Sequence, residues 1–190
     1  MKTTTDKKVL MNITAILHDT GKIKTFKKEG NKISFINHED ESLKIADKFL
    51  NNLKFSNNDK KYIETLIKYH MIIHEISDST DEKLQRNHLA KIYIELFEDE
   101  ELLNDCIEFA KKDSLDDLSK YEKLKKIVEE FSKEPILIKG KDVEEFPEKI
   151  RGKLIKRMRL LQLSKQYNKK ELLKILKSEA NNIIANKENI

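Results

Sequence analysis

Five histidines, His18, His38, His70, His74 and His88, stand in this 190-residue chain. His18 is followed at once by Asp19, inside Ile16-Leu17-His18-Asp19-Thr20-Gly21-Lys22. That is the end of an apolar run, a pair of ligand-type residues, then a Gly-Lys turn. An imidazole beside a carboxylate offers borderline and hard donors together, a mixture that suits Mn, Fe, Co, Ni, Zn or Mg. Two adjacent ligands at a helix end meet at one centre only when other helices complete it. His70 and His74 lie four apart and so share a helix face, a spacing that a solvated or hydrogen-bonded pair would show equally. His38, beside Glu39, opens a helix where a capping role is the simpler account. His88 sits in the polar stretch Arg86-Asn87-His88 and reads as an ordinary surface residue. Asp113 falls at a helix C-terminal end after Lys111-Lys112. A negative charge there opposes the helix dipole, so a compensating cation is expected.

The elements that must position these residues follow from periodicity. Val9, Leu10, Ile13, Ile16 and Leu17 mark a first helix that Gly21 ends or interrupts. Thr25–Ile36 breaks the pattern and predicts a small hairpin or irregular loop. A helix over His38–Leu53 is expected to bury Leu43, Ile45, Ala46, Phe49, Leu50 and Leu53. Ser56, Asn57 and Asn58 signal the start of the next, about Asp59–Ile73. Two more helices are expected over Asp81–Phe97 and Glu100–Lys111, and a longer one capped by Ser114 and running to Phe131. Pro135–Phe146 reads as a connector. Pro147 suits the first turn of a helix to Leu163, and Asn168 caps a last one over Lys169–Ala180.

Composition supports an all-helical chain. Apolar residues are 38% and charged residues 38%, with 4 Gly and 2 Pro; that scarcity of turn residues argues against a sandwich or barrel. No apolar run approaches the roughly 18 residues a membrane span needs, and no signal-peptide pattern opens the chain. A cytoplasmic location is the expectation. The single cysteine, Cys106, excludes an internal disulfide and a cysteine-based zinc site. The net charge of +4 is unevenly placed. Lys139–Lys177 holds 13 basic and 5 acidic residues; a basic tail of this kind suits a polyanionic partner, although Lys-rich helices are also often just solvated. The division is expected near residue 134, between a helical core (1–134) and a basic helical extension (135–190).

Taken in order, Leu17-His18-Asp19-Thr20-Gly21-Lys22, Phe35…His38-Glu39, Tyr69-His70-Met71 and Asp113 resemble the HD-domain metal-dependent phosphohydrolases. The pattern looks most like the HD domain and arm of bacterial CCA-adding tRNA nucleotidyltransferases and poly(A) polymerase-like enzymes. Leu53-Lys54-Phe55-Ser56-Asn57 is similar to a helix junction of that group. Lys112-Asp113 stands where that group has alanine-aspartate. Pro135-Ile136-Leu137-Ile138-Lys139-Gly140-Lys141-Asp142-Val143 resembles its Pro-Leu-Leu-x-Gly-x-Asp-Leu segment. The resemblance covers most of Val9–Lys177.

The resemblance implies an all-α HD-domain bundle with a small hairpin or loop after the first helix and a basic C-terminal helical extension. It implies a divalent metal (Mn, Ni, Co, Fe, Mg or Zn) held by His18, Asp19 and Asp113, with His70 and His38 as further ligands. It implies hydrolysis of a phosphomonoester or a 2′,3′-cyclic phosphodiester in a nucleotide or at an RNA end. Lys22 would meet a phosphate oxygen, or be an ordinary exposed lysine, and His74 would donate a proton to the leaving oxygen. Two departures stand out. Residues 1–17 lack the histidine that the family carries upstream of His-Asp. The chain also lacks the nucleotidyltransferase head with its paired carboxylates, so a stand-alone relative, or a C-terminal piece partnered by a separate nucleotidyltransferase chain or domain, is expected.

A second function class is a non-catalytic RNA- or tRNA-binding module. Its phosphate contacts would come from Lys149, Arg151, Lys153, Lys156, Arg157 and Arg159, which are spread too broadly around a helix for base reading. A third is a signalling protein that hydrolyses nucleotide second messengers.

Overall fold

The computed structural model describes residues 1–115, 117–165 and 167–188, and these fold almost entirely as helices. In chain order they are α1 (Lys7–Leu17), α2 (Lys22–Thr25), strands β1 (Lys27–Glu29) and β2 (Lys32–Ser34), α3 (His38–Asn52), α4 (Asn57–Asp78), α5 (Glu82–Glu95), α6 (Glu100–Asp113), α7 (Ser119–Lys133), a 3-10 turn over Gly140–Val143, α8 (Glu148–Lys165) and α9 (Lys169–Glu188). The strands pair antiparallel with Lys28 opposite Ile33, the small hairpin expected after the first helix. No helix among the described residues is long and apolar enough to cross a membrane. The chain groups into two compact units interleaved along the sequence. One is Met1–Asp78 with Glu101–Lys125; the other is Ser79–Glu100 with Lys126 onward. The break in pattern at Pro135 thus lies inside the second unit.

In the first unit, α4 is buried on nearly every side through Tyr62, Ile63, Leu66, Ile67, His70 and Ile73. Its N-terminus is fixed by Asp59, whose carboxylate accepts hydrogen bonds from the backbone N–H and hydroxyl groups of Thr4 and Thr5. Burial alone would raise the Asp59 carboxyl, but these bonds outweigh it and hold it well below the usual carboxylate range.

The buried stripes differ from those the apolar spacing predicts. On α1 the inward residues are Leu10, Thr14, Leu17 and then His18, while Val9 and Ile16 face outward. On α3 they are His38, Ser42, Ala46 and Leu50, a strict four-residue repeat, while Phe49 and Leu53 are exposed. In both helices polar residues occupy the inward face and rotate the stripe away from the apolar count. Ser114 does not cap α7: its N–H still donates to Ala110 O at the end of α6. Asp117 receives the N–H and hydroxyl of Ser119 instead.

Gly21 sits where the turn after His18-Asp19 crosses α3. Its N–H donates to Ser42 Oγ at 2.9 Å. A Cβ there would lie 2.0 Å from the carbonyl oxygen of His38 and 2.6 Å from the nitrogen of Ser42. The glycine is required by space, not by dihedral angle, since its φ of −66° is open to any residue.

In the second unit, Ile138, Val143, Phe146, Ile150, Leu154, Met158, Leu172 and Leu176 form one apolar cluster. Asn168 caps α9 as expected, through reciprocal bonds with Glu171. Arg159 is buried, 6% exposed. Its guanidinium grips Glu98 at 2.8 and 3.1 Å and reaches Glu134 O at 3.2 Å. Arg159→Met is expected to cost about 3 kcal/mol in urea unfolding. That is the low end for breaking a buried pair, because the Glu98 side chain, 30% exposed, can rehydrate. A change below 0.5 kcal/mol, roughly the spread of surface substitutions, would contradict this role.

Candidate metal centre

Three imidazoles are fixed by the same local device. The Nδ1–H of His18 donates to Ala15 O at 3.0 Å, that of His38 to Phe35 O at 3.0 Å, and that of His70 to Ile67 O at 2.6 Å. A carbonyl can only accept, so Nδ1 carries the proton and Nε2 is left as a bare lone pair. All three Nε2 atoms are buried and make no hydrogen bond. They point into a common space: the His18 and His70 rings lie 5.1 Å apart, and the His38 and His70 rings 5.5 Å.

Carboxylate oxygens share that space. His18 Nε2 is 3.1 Å from Asp113 Oδ1 and 3.4 Å from Asp19 Oδ2, and His38 Nε2 is 3.2 Å from Asp19 Oδ1. Donor atoms of His18, Asp19 and His70 lie within 4.8 Å of one another. Lone pairs and anionic oxygens at such distances repel unless a cation or a proton lies between them. Nitrogen and oxygen donors in this mixture fit a divalent first-row ion or Mg, and the carbonyl tethers are the outer support that metal-bound histidines ordinarily have. The residues therefore fit a metal.

The elements explain the convergence. His18 and Asp19 leave the end of α1, His38 begins α3, His70 lies on the buried α4, and Asp113 is the last residue of α6. Phe109, one turn earlier on α6, packs edge-on against His18 at 5.4 Å.

His74 is placed differently. Its Nε2 lies 3.2 Å from Asp113 Oδ2, so Asp113 joins His18 on one oxygen and His74 on the other. Its Nδ1 lies 2.7 Å from the hydroxyl of Tyr121, a fully buried residue. With the Tyr121 O–H donating to Nδ1, the His74 proton sits on Nε2 facing Asp113; this tautomer is assigned from the partners. Sequence reasoning missed Tyr121, and a lone tyrosine 47 residues away on α7 carries no local signal.

Lys22 does not point into open space. Its Nζ is 2.7 Å from Asp19 Oδ2 and lies over the Phe35 ring. Burial would raise the Asp19 carboxyl, but the Lys22 hydrogen bond and the neighbouring His18 imidazole hold it below its ordinary value. Burial pushes the His70 imidazole down to about 4, and the neighbouring His18 and His38 add to the shift.

The His70 shift has a consequence for pH. In the unfolded chain a histidine titrates near 6.5, so between about 6.5 and 4 the unfolded state binds the extra proton. Stability of the metal-free protein is expected to be undiminished by this group above pH 6.5 and to fall as pH drops toward 4, by roughly 3 kcal/mol in all. Urea midpoints in chelator across that range measure it. The loss should be smaller in His70→Gln.

A cavity of about 550 Å³ opens beside His18 and Asp113, lined by Lys8, Met11, Asn12, Ala15, Phe109 and Lys112.

With this geometry in hand, the family comparison is decisive: the model of the HD domain matches residues 3–182. The chain belongs to the HD-domain family. HD domains are in general metal-dependent phosphohydrolases that bind divalent ions, and the His/Asp cluster of this HD domain is composed accordingly. No curated protein and no solved structure matches the sequence.

Of the tail residues expected to meet phosphate, Arg159 and Arg151 spend their guanidinium groups on partners within the chain. Arg159 is buried on Glu98, as described. Arg151 spends its guanidinium on the carbonyls of Phe146 and Glu144, both at 2.8 Å. Arg159 lies on the buried face of α8, and Arg151 is half-buried. Arg157 is exposed but paired with Glu179 at 3.0 Å, and Lys156 lies over the Phe97 ring. Lys149 and Lys153 are exposed.

Proposed function

We propose that this HD domain is a metal-dependent phosphohydrolase acting on nucleotides or RNA ends, at a phosphomonoester or a 2′,3′-cyclic phosphodiester. The observation that carries the reading is the convergence of three bare, buried Nε2 atoms, those of His18, His38 and His70, on the carboxylates of Asp19 and Asp113. A divalent ion held there supplies Lewis-acid polarisation of a phosphoryl oxygen and a more acidic water.

The chain's own residues do the rest. The Ala15, Phe35 and Ile67 carbonyls hold the three rings in the tautomer that leaves Nε2 free. Lys22 offsets the charge of Asp19 and keeps its carboxylate turned toward His38. His74 is poised to give the proton on its Nε2 to a leaving oxygen, with Tyr121 holding its other nitrogen and Asp113 orienting the N–H. Met11, Ala15 and Phe109 give the adjoining cavity an apolar wall. Lys8 and Lys112 at its rim favour an anionic substrate.

Elemental analysis of the purified protein tests the reading. It should be followed by turnover of p-nitrophenyl phosphate and 2′,3′-cyclic AMP with Mn, Ni and Mg. Stoichiometric metal and metal-dependent release of product are expected. Protein that binds none of these ions and turns over neither compound would overturn it.

The finer likeness to the arm of CCA-adding enzymes favours an RNA or tRNA ligand for the same chain. Nucleotide addition would then need a separate nucleotidyltransferase chain or domain. Support from the tail rests on the exposed Lys149, Lys153 and Lys156.

A further inference from the structure

The paired strands β1 and β2 beside the metal centre have no part in the function proposed above, and the composition of the segment around them is unusual. Residues 22–36 hold five lysines against one acidic residue, Glu29, with Phe26 and Phe35 among them. The strand register decides what shares a face. Lys27 pairs with Ser34 and Lys28 with Ile33, so alternation puts Phe26, Lys28, Ile33 and Phe35 on one side of the ribbon. The two aromatic rings lie 5.9 Å apart, tilted at 54°. Phe26 and Ile33 are each 52% exposed.

This face runs into the site. Lys22 Nζ lies 5.7 Å over the Phe35 ring while bonding Asp19, and the carbonyl of Phe35 holds the His38 ring. A half-exposed aromatic flanked by lysines, ending at a phosphate-cleaving site, has the chemistry of a surface for single-stranded nucleic acid. Bases stack on the ring and phosphates meet the ammonium groups. An apolar core meant for a protein partner would carry few lysines.

We propose that the Phe26/Lys28/Ile33/Phe35 face holds the terminal nucleotides of a single-stranded nucleic acid, with Phe26 stacking a base and leading the end phosphate to Asp19 and His38. The substrate class is then an oligonucleotide end and not a free small phosphomonoester. The inference rests on the phosphohydrolase reading for its direction, but its binding half does not need turnover.

Fluorescence anisotropy of the full chain with a labelled ten-nucleotide RNA and its DNA counterpart, in chelator, is the test. Phe26→Ala is expected to weaken binding about tenfold, within the range for loss of one stacked base. Lys28→Ala is expected to lower the salt slope by about 0.7. Both variants should leave metal-dependent p-nitrophenyl phosphate turnover unchanged. Turnover without any oligonucleotide binding would overturn the inference and leave the phosphohydrolase reading intact; binding without turnover would do the reverse. Binding lost only in Lys149→Ala/Lys153→Ala, or a hairpin variant that changes self-association and not oligonucleotide affinity, would also overturn the inference.

Discussion

The His18→Ala protein is expected to lose metal-dependent phosphatase activity by at least about a thousandfold while keeping its helical circular dichroism. His18 contacts both Asp19 and Asp113 through one atom, Nε2, and shares the His70 side of the site. Its removal takes away the donor that joins the α1 end to the α6 end. Disturbing even outer support of a metal ligand costs ten- to a hundredfold, so deleting the ligand should cost more. The fold should survive because the imidazole gives up one hydrogen bond, from Nδ1 to Ala15 O within the same helix end, and its Nε2 gives up none. A thermal measurement separates the two effects. Added Mn stabilises a folded state that binds it, by about 2.7 kcal/mol at a hundred times the dissociation constant, and so should raise the wild-type midpoint. The His18→Ala midpoint should not move with Mn. A variant with equal turnover and an equal Mn shift would refute the metal assignment. Chelator should act on the wild type as the substitution does, reversibly.

Gly21→Ala is the second large effect. The added carbon would meet backbone atoms, His38 O at 2.0 Å and Ser42 N at 2.6 Å, not a side chain that can swing aside. The turn and α3 must part. Overpacking of this kind costs about 3 kcal/mol, a fall of roughly 10 °C for a chain of this size. The damage should also be local to function. Gly21 lies two residues from Asp19, and the displaced carbonyl belongs to His38, so the 3.2 Å approach of those two side chains is lost. Metal affinity should therefore drop even at temperatures where the variant is folded. Gly152→Ala is the matched control: nothing lies within 4 Å of its Cβ position. It lies inside α8, where alanine should stabilise by up to about 1 kcal/mol. Equal midpoints for the two alanine variants would contradict the packing argument.

Much of this was legible in the residues. The order of helices, the hairpin at Lys27–Ser34 and the Asn168 cap follow from periodicity, Gly30-Asn31 and side-chain chemistry. The metal-type residues were visible as types. What periodicity misread was which way the helices face. In α1 the inward set includes Thr14 and His18, and in α3 it begins with His38 and Ser42. An apolar count cannot register a buried polar residue, so Phe49 and Leu53, expected inward, stand outside. The tail shows the complementary case. Arg159 and Arg151 look like the other basic residues of α8, and only the tertiary placement of Glu98, Phe146 O and Glu144 O shows them engaged. Tyr121 and the crowding at Gly21 depend on contacts between residues distant in sequence, which no local pattern encodes.

The carbonyl tethers have an implication for how this centre tolerates change. Each ring leans on the main chain three positions before it, at Ala15, Phe35 and Ile67. Every amino acid brings that oxygen, so replacing those side chains leaves the anchor in place. The aim of the imidazoles is thus written into backbone course: substitution of the exposed Ala15 should leave the His18 ring in place, and at the fully buried Ile67 the cost should be one of packing, with the ring's anchor kept.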